Sequence, residues 1–318
     1  MPLRRIVVAG LLGGLAAAGL WLASASAVGQ LACLITLFLS SLPVFLAGLS
    51  VKERRGGLVA AMIAIVLAAL ITADSGGILF SGVFVCYAGL VPFVLLAINF
   101  YGGVSKTGWT RSDRLVWGLT GTGVIIFLAC VLLLAGHEGG MRGVILRHLG
   151  QFLDSRAKVD PDFAQVRLDP AGFVGWFPGI LISLWLAWIA LSGILALGIA
   201  KGAGWIEPPL PRIVEVNASS LAGNLIAFLM IVPILGIQTV GFICGNLFMI
   251  VMLGFLFSGL AFVHSLAARY SFGKVSLAVF YVVFMGSGAI ILVAFLGLID
   301  QWAGLRVRLN ATPGRGEK

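Results

Sequence analysis

The sequence predicts an all-α, polytopic transmembrane helix bundle of about nine spans, or eight if one segment does not cross. Three observations carry the prediction. Hydrophobic residues make up 60% of the 318-residue chain and charged residues only 10%, with a mean hydropathy of +1.10; a soluble chain this apolar could not cover its own surface. The apolar residues gather in runs of roughly 16 to 25, about the length that crosses a hydrocarbon core of roughly 30 Å. Lys and Arg fall in alternate loops between those runs, as the positive-inside rule requires. The formal charge of +9 therefore reads as an orientation signal spread along the chain, not as a nucleic-acid footprint.

In chain order, the first span is 6–22, behind Arg4 and Arg5. The Ala25-Ser26-Ala27 that follows also fits a signal-peptide cleavage site. Gly10, Gly14 and Ala18 form a small-xxx-small stripe, however, and a packed helix would use it, so the segment is read as retained. Span 31–50 holds Pro43 and ends at the basic turn Lys52-Glu53-Arg54-Arg55. Span 57–72 repeats Ala60, Ala64, Ala68 and Thr72 along one face, which lets a neighbour come close. Asp74-Ser75-Gly76-Gly77 makes an outer turn before span 78–99, which carries Pro92. Lys106, Arg111 and Arg114 mark the next inner loop, and 115–136 is the fifth span.

Residues 137–176 form one long extracytoplasmic loop with balanced charge. Met141, Val144, Ile145, His148, Leu149, Phe152 and Leu153 recur at helical spacing there, predicting an amphipathic helix that lies on the surface or acts as a lid. His137, Glu138 and His148 match no metal-binding spacing, and neither a metal nor a cofactor is expected. The remaining spans are 177–200, 218–236, 240–264 and 275–299, with an extended Pro208-Pro209-Leu210-Pro211 in the loop after 200. Residues 303–318 form a flexible tail. With nine spans its Arg306, Arg308, Arg315 and Lys318 lie on the outer side, against the charge rule. Cys33, Cys86, Cys130 and Cys244 stand singly in apolar runs and read as small core residues.

No Asp, Glu, Lys or Arg occupies the middle of a span, so the buried charge that an intramembrane enzyme or proton relay needs is missing. The polar candidates are Asn224, Asn246, His264 and Gln238. Asn246 must find a partner within the bundle, either another helix or a ligand. As a ligand contact it would form an outer capture site with Gln238, lidded by the loop helix. His264 sits at headgroup level, and Asp300, Trp302 and Arg306 read as an interfacial anchor.

Gly259-Leu260-Ala261-Phe262-Val263-His264, then Leu296-Gly297-Leu298-Ile299-Asp300-Gln301-Trp302 and Arg306, together with Ser41-Leu42-Pro43-Val44-Phe45-Leu46-Ala47-Gly48-Leu49, resemble the YybS-like family of bacterial membrane proteins. Gly304 stands where that resemblance leads one to expect an acid. The resemblance implies a bacterial cytoplasmic (inner) membrane protein, distantly similar to the substrate-binding components of energy-coupling-factor transporters, and the distribution of Lys and Arg places its N-terminus on the cytoplasmic side. Two function classes follow. One is a small-molecule-binding or transport component for a neutral or apolar ligand. The other is a membrane scaffold or assembly factor that meets a membrane partner protein through its loops. The lipid bilayer is a partner in both.

Overall fold

The computed structural model describes residues 2–26, 29–101, 110–159, 170–206, 211–218, 220–270 and 272–311, and every regular element among them is a helix. The α-helices are α1 Pro2–Ser26, α2 Gln30–Leu39, α3 Leu42–Leu49, α4 Arg54–Phe84, α5 Val91–Tyr101, α6 Arg111–Leu133, α7 Gly140–Val159, α8 Pro170–Gly202, α9 Ser220–Ile231, α10 Gln238–Ala267, α11 Gly273–Ser287, α12 Ile290–Ala303 and α13 Leu305–Ala311. Among the described residues, six helical stretches are long and apolar enough to cross a membrane. Several apolar helices of that length make this a multi-pass membrane protein by class. Lys106, Pro208 to Leu210, residues 160–169 of the long loop and residues 312–318 of the tail lie outside the described residues.

The chain divides into two compact units, Met1–Leu119 with Trp185–Arg212, and Thr120–Leu184 with Ile213–Lys318. In the first unit, the longest apolar stretch runs from Arg54 to Phe100, about twice the length one crossing needs. Gly77 resolves the excess. Its φ of 81° and ψ of 171° leave the helical region, in a conformation that glycine alone adopts without strain. The Ser81 hydroxyl then donates to the Ala69 carbonyl twelve residues back, at 2.7 Å. Gly89 lies against Ile65, and Gly57 against Phe100. These pairings run in opposite directions along the two limbs, so 54–76 and 78–101 form an antiparallel hairpin with its turn where Asp74 to Gly77 predicted one.

The predicted small-residue stripes of α1 and α4 meet each other. Gly10 faces Ile63 and the Ala60 carbonyl, and Gly14 faces Leu67 and the Ala64 carbonyl. A side chain at either glycine would strike α4, so the two helices pack at the distance their backbones allow. Segment 31–50 is not one straight helix. It breaks at Ser40 and Ser41 into α2 and α3, with Pro43 in the first turn of α3, where its missing N–H costs nothing. The Ser40 hydroxyl takes up the Leu37 carbonyl at 2.7 Å, and Ser192 takes up that of Phe38 at 3.0 Å.

Between the second limb of the hairpin and α5 the chain makes a π-helical turn, Val85–Leu90. Pro92 follows and has no N–H to donate. The Tyr87 carbonyl, five residues before it, accepts instead from the Trp185 indole at 3.1 Å. Trp21 packs against Phe80, Phe84 and Tyr87, and Tyr87 stacks on Trp185.

In the second unit α10 is the central helix, and α12 packs along it. At their crossing a side chain on Gly259 would run into the Val293 carbonyl, and one on Gly297 into the Phe255 carbonyl. Within the predicted ninth span, 275–299, Gly288, at φ 66°, breaks the run into α11 and α12. These have 15 and 14 residues, roughly 21 to 23 Å each at 1.5 Å per residue, and neither reaches across a core of roughly 30 Å. Hydropathy alone could not show this, because a left-handed glycine leaves an apolar run apolar.

The predicted loop helix is present as α7, and its Met141 packs on the cluster of Phe127, Phe242 and Ile250. The long loop is shorter than expected, because α8 begins at Pro170, two turns before 177. The tail is helical up to Ala311.

Leucine at Gly297 is predicted to lower the apparent melting temperature and folded yield in detergent, by a cost of about 1–3 kcal/mol or more for overpacking. Leucine at Gly121, which has open space around it, should leave both unchanged. Thermal scanning of the two variants beside wild type checks the contrast.

Candidate functional site

The residues picked from the sequence are not brought together. Asn246 is completely buried in the α8–α10 contact of the second unit. Its Oδ1 accepts from the Gly179 N–H at 2.6 Å, and its Nδ2 donates to the Gly175 carbonyl at 2.8 Å and the Phe242 carbonyl at 2.7 Å. Gly175 and Gly179 are the acceptor and donor that an uninterrupted helix would join to each other, and Pro178 lies between them. Gly179 also admits the α10 backbone, since any side chain there would meet Asn246. Both amide hydrogens are spent on protein, so Asn246 takes the interhelical bond and has no donor left for a captured molecule.

Gln238 is exposed at the start of α10, about 12 Å from Asn246 along the helix axis. Asn224 is exposed on α9. His264, at the far end of α10, donates from Nδ1 to the Leu260 carbonyl at 2.9 Å, which leaves Nε2 to accept from the Tyr281 hydroxyl at 3.4 Å. Before and along α7, Glu138 pairs with Arg147 at 3.5 Å and His148 bonds the Val144 carbonyl at 2.8 Å.

The interfacial anchor at Asp300, Trp302 and Arg306 takes a different form from the one expected. Asp300 is buried. Its Oδ1 accepts from the Arg306 backbone N–H at 2.8 Å and its Oδ2 from Arg306 Nε. The remaining guanidinium nitrogens donate to the Val216 carbonyl at 2.6 Å and the Ser258 hydroxyl at 3.1 Å. Arg306 thus ties α12, α13, α10 and the 211–218 segment into one network. Gly304 sits in the left-handed region at φ 61° and ends α12 by donating to the Asp300 carbonyl at 2.9 Å, which turns the chain back to its own acid. Trp302 is exposed, with its indole against Gly223 of α9.

The cavities lie elsewhere, in the first unit. One of about 360 Å³ is lined by Leu49, Val51, Lys52, Arg54, Asn99, Phe100, Arg111, Leu197, Trp205, Ile206 and Pro211. Antiparallel packing collects these residues from four separate stretches at one end of the unit. Ile6 packs on Val51 and Gly56, setting the basic start of α1 beside the turn of Lys52 to Arg55. The hairpin returns Asn99 and Phe100 to the same level as Arg54. Arg111 is held by the start of α6, where Thr110 and Asp113 cap each other: the Thr110 N–H donates to Asp113 Oδ2 at 2.8 Å, and the Asp113 N–H donates to Thr110 Oγ1 at 3.1 Å. Arg111 Nη2 donates to the Asn99 carbonyl at 3.1 Å. The Arg212 N–H donates to the Ser112 hydroxyl at 2.9 Å and draws the segment after α8 across this end.

Three bases and no acid stand among the described lining residues. Arg54 and Arg114 lie close enough for their charges to oppose that of Arg111. The side-chain oxygen of Asn99 is buried without a hydrogen-bond partner. A second cavity, about 100 Å³, shares Leu49, Asn99 and Leu197 with the first, and is otherwise walled by apolar residues including Phe45, Leu96, Leu119 and Ile194. Sequence reading missed this site because each of its cations had already been explained as an orientation signal. The available signal was that four basic segments alternate with helices of similar length, so their ends must converge.

Comparison with family models, with curated proteins and with solved structures finds no match to this chain.

Replacing Asn246 with leucine should destabilise the fold by about 1–3 kcal/mol, because it leaves the Gly175 and Gly179 backbone groups without their partner. Arg306→Met should cost about 3–5 kcal/mol by leaving the buried Asp300 charge uncompensated, and adding Asp300→Asn should recover much of that loss. Thermal unfolding in mild detergent, with the double variant beside each single one, measures both.

Proposed function

We propose that the protein is a small-molecule-binding component of a bacterial cytoplasmic membrane, with its N-terminus and the basic end of the first unit on the cytoplasmic side. The observation that carries this reading is the cavity of about 360 Å³ bounded by Lys52, Arg54, Asn99, Arg111 and Trp205. Its volume falls within the ordinary range of ligand sites, and it combines a few convergent polar groups with apolar walls. The site expected at Asn246 is replaced by this one, and the neutral or apolar ligand by one that a basic wall would attract. The distant likeness to substrate-binding components of energy-coupling-factor transporters, through the YybS-like resemblance, is compatible with binding and not with a committed reaction. Binding without catalysis also fits the lining, where arginine and lysine side chains meet an amide and aromatic rings and, among the described lining residues, no nucleophile stands beside a base.

The second reading is a membrane scaffold or assembly factor working with a membrane partner protein. It draws support from the sealed Asn246 contact, since a polar residue buried in an apolar helix serves packing there. Native mass spectrometry of gently purified protein separates the two. A co-purifying small molecule that is lost in Trp205→Ala is expected for the binding component. A bare wild-type chain, or one carrying only a protein partner, gives the scaffold reading the lead.

Orientation has its own test. With the four native cysteines replaced, a cysteine at Gln151 should react with a membrane-impermeant reagent added to intact cells, and one at Lys201 should react only after lysis. The reverse pattern would invert the proposed orientation.

A further inference from the structure

We infer that Asn99 selects the ligand of the first-unit cavities: its side-chain oxygen accepts a hydrogen bond from an uncharged hydroxyl or amide N–H, while the ligand's apolar part lies in the smaller cavity. This rests on reading the larger cavity as a binding site, and adds the selecting residue and the group it recognises. It takes nothing from the cations there, since Lys52 and Arg111 have partners within the protein.

Asn99 lies on α5 and borders both cavities. Its main-chain carbonyl accepts from Arg111 Nη2 at 3.1 Å, but its side-chain oxygen is buried and no donor reaches it. A buried acceptor in this state lowers stability, so a polar side chain kept there calls for a partner. Asn246 makes the contrast. That amide is buried too, and it spends its oxygen and both hydrogens on Gly179, Gly175 and Phe242. The oxygen of Asn99 ties no helix to another.

The walls of the smaller cavity do not supply the donor. Apart from Asn99 they are alanine, glycine, valine, leucine, isoleucine and phenylalanine, whose side chains have none to give. These residues lie on α3, α5, α6 and α8, and their main-chain N–H groups serve the carbonyls four residues back. On the other side, Arg111 reaches Asn99 only at the main chain. The donor that fits is therefore carried by a molecule in the cavity. A lone water would find one acceptor among hydrocarbon, short of the two to four partners that hold a buried water. A cationic donor would leave bulk water for that same single acceptor. A hydroxyl or amide on an apolar body satisfies the oxygen and fills the space of about 100 Å³ beside it.

The test uses the full chain in phosphatidylcholine nanodiscs and two photoreactive probes, a diazirine-bearing octanol and the same molecule without its hydroxyl. Mass spectrometry of the digested protein counts adducts on residues 115–119 and 190–197, which hold walls of the smaller cavity. Wild type should label about three- to ten-fold more with the alcohol than with the alkane, the range one neutral hydrogen bond supports. Asn99→Leu should remove that preference while keeping the alkane adducts, and Asn99→Ala serves if the leucine variant does not fold. Ala190→Leu, which fills the smaller cavity, should lower labelling by both probes. A preference for the alcohol that survives in Asn99→Leu or Asn99→Ala would overturn the inference. Equal labelling of wild type by both probes would also overturn it, while leaving the cavity a binding site. No adducts in these stretches with either probe would overturn both readings.

Discussion

Within a hydrocarbon layer no water is present to take up a backbone N–H or C=O, so each interruption of a helix must be repaired by the protein itself. Two prolines create such interruptions here, and in both cases a side chain from another helix completes the broken ladder. Pro92 leaves the Tyr87 carbonyl to the indole of Trp185. Pro178 lies between Gly175 and Gly179, and the carboxamide of Asn246 bonds both. An amide suits the second position because it presents one acceptor and two donors in a plane, matching one N–H and two carbonyls. A repaired break is worth more than a straight helix would be, since the repairing group also fixes which neighbour lies there and in what register. The same constraint explains two serines at the α2–α3 break: the Ser40 hydroxyl takes up the Leu37 carbonyl, and Ser192 of α8 that of Phe38.

Close approach is the second ingredient. Lipid tails are as apolar as leucine, so helices gain little by hiding leucine from lipid and more by bringing backbones together. The α1–α4 contact through Gly10, Gly14, Ala60 and Ala64, and the α10–α12 contact through Gly259 and Gly297, are built this way. The Arg306 network adds a charged tie where α12 ends. A buried ion pair is weak evidence for stability taken alone, but this one is also hydrogen-bonded to Val216 and Ser258, so every nitrogen of the guanidinium is engaged.

Much of this was legible in the residues. The paired small stripes, the reversal at Asp74 to Gly77 and the amphipathic α7 follow from periodicity and turn chemistry, which are local properties. What escaped was non-local or conformational. The break at Gly288 depends on a dihedral angle, and its neighbours are as apolar as those of any continuous span. Asn246 was recognised as needing a partner, but the partner is a backbone pair exposed by a proline in a different helix, and no spacing rule links residues 178 and 246. The cavity takes residues from positions 49 to 54, 99 and 100, 111, and 197 to 211, each run ordinary by itself. A lysine in a short loop of a membrane protein has so common an explanation that a further role is invisible until the loops are seen to meet.

The π-helical turn at Val85–Leu90 bears on how this protein can change over generations. Such a turn accommodates one residue more than an α-helical turn would, so the residues after it are rotated by about 100° from where an unbroken α-helix would place them. Leu95, Leu96 and Asn99, which line the cavities, lie on the rotated part. Point substitutions among them alter the wall one side chain at a time. Loss of a single codon within 85–90 would instead restore the regular helix and swing the whole wall away together, while leaving every one of those residues in place. Variation in length at this turn, more than variation in composition, is therefore the kind of change by which descendants of this chain would lose the cavity or acquire a different one.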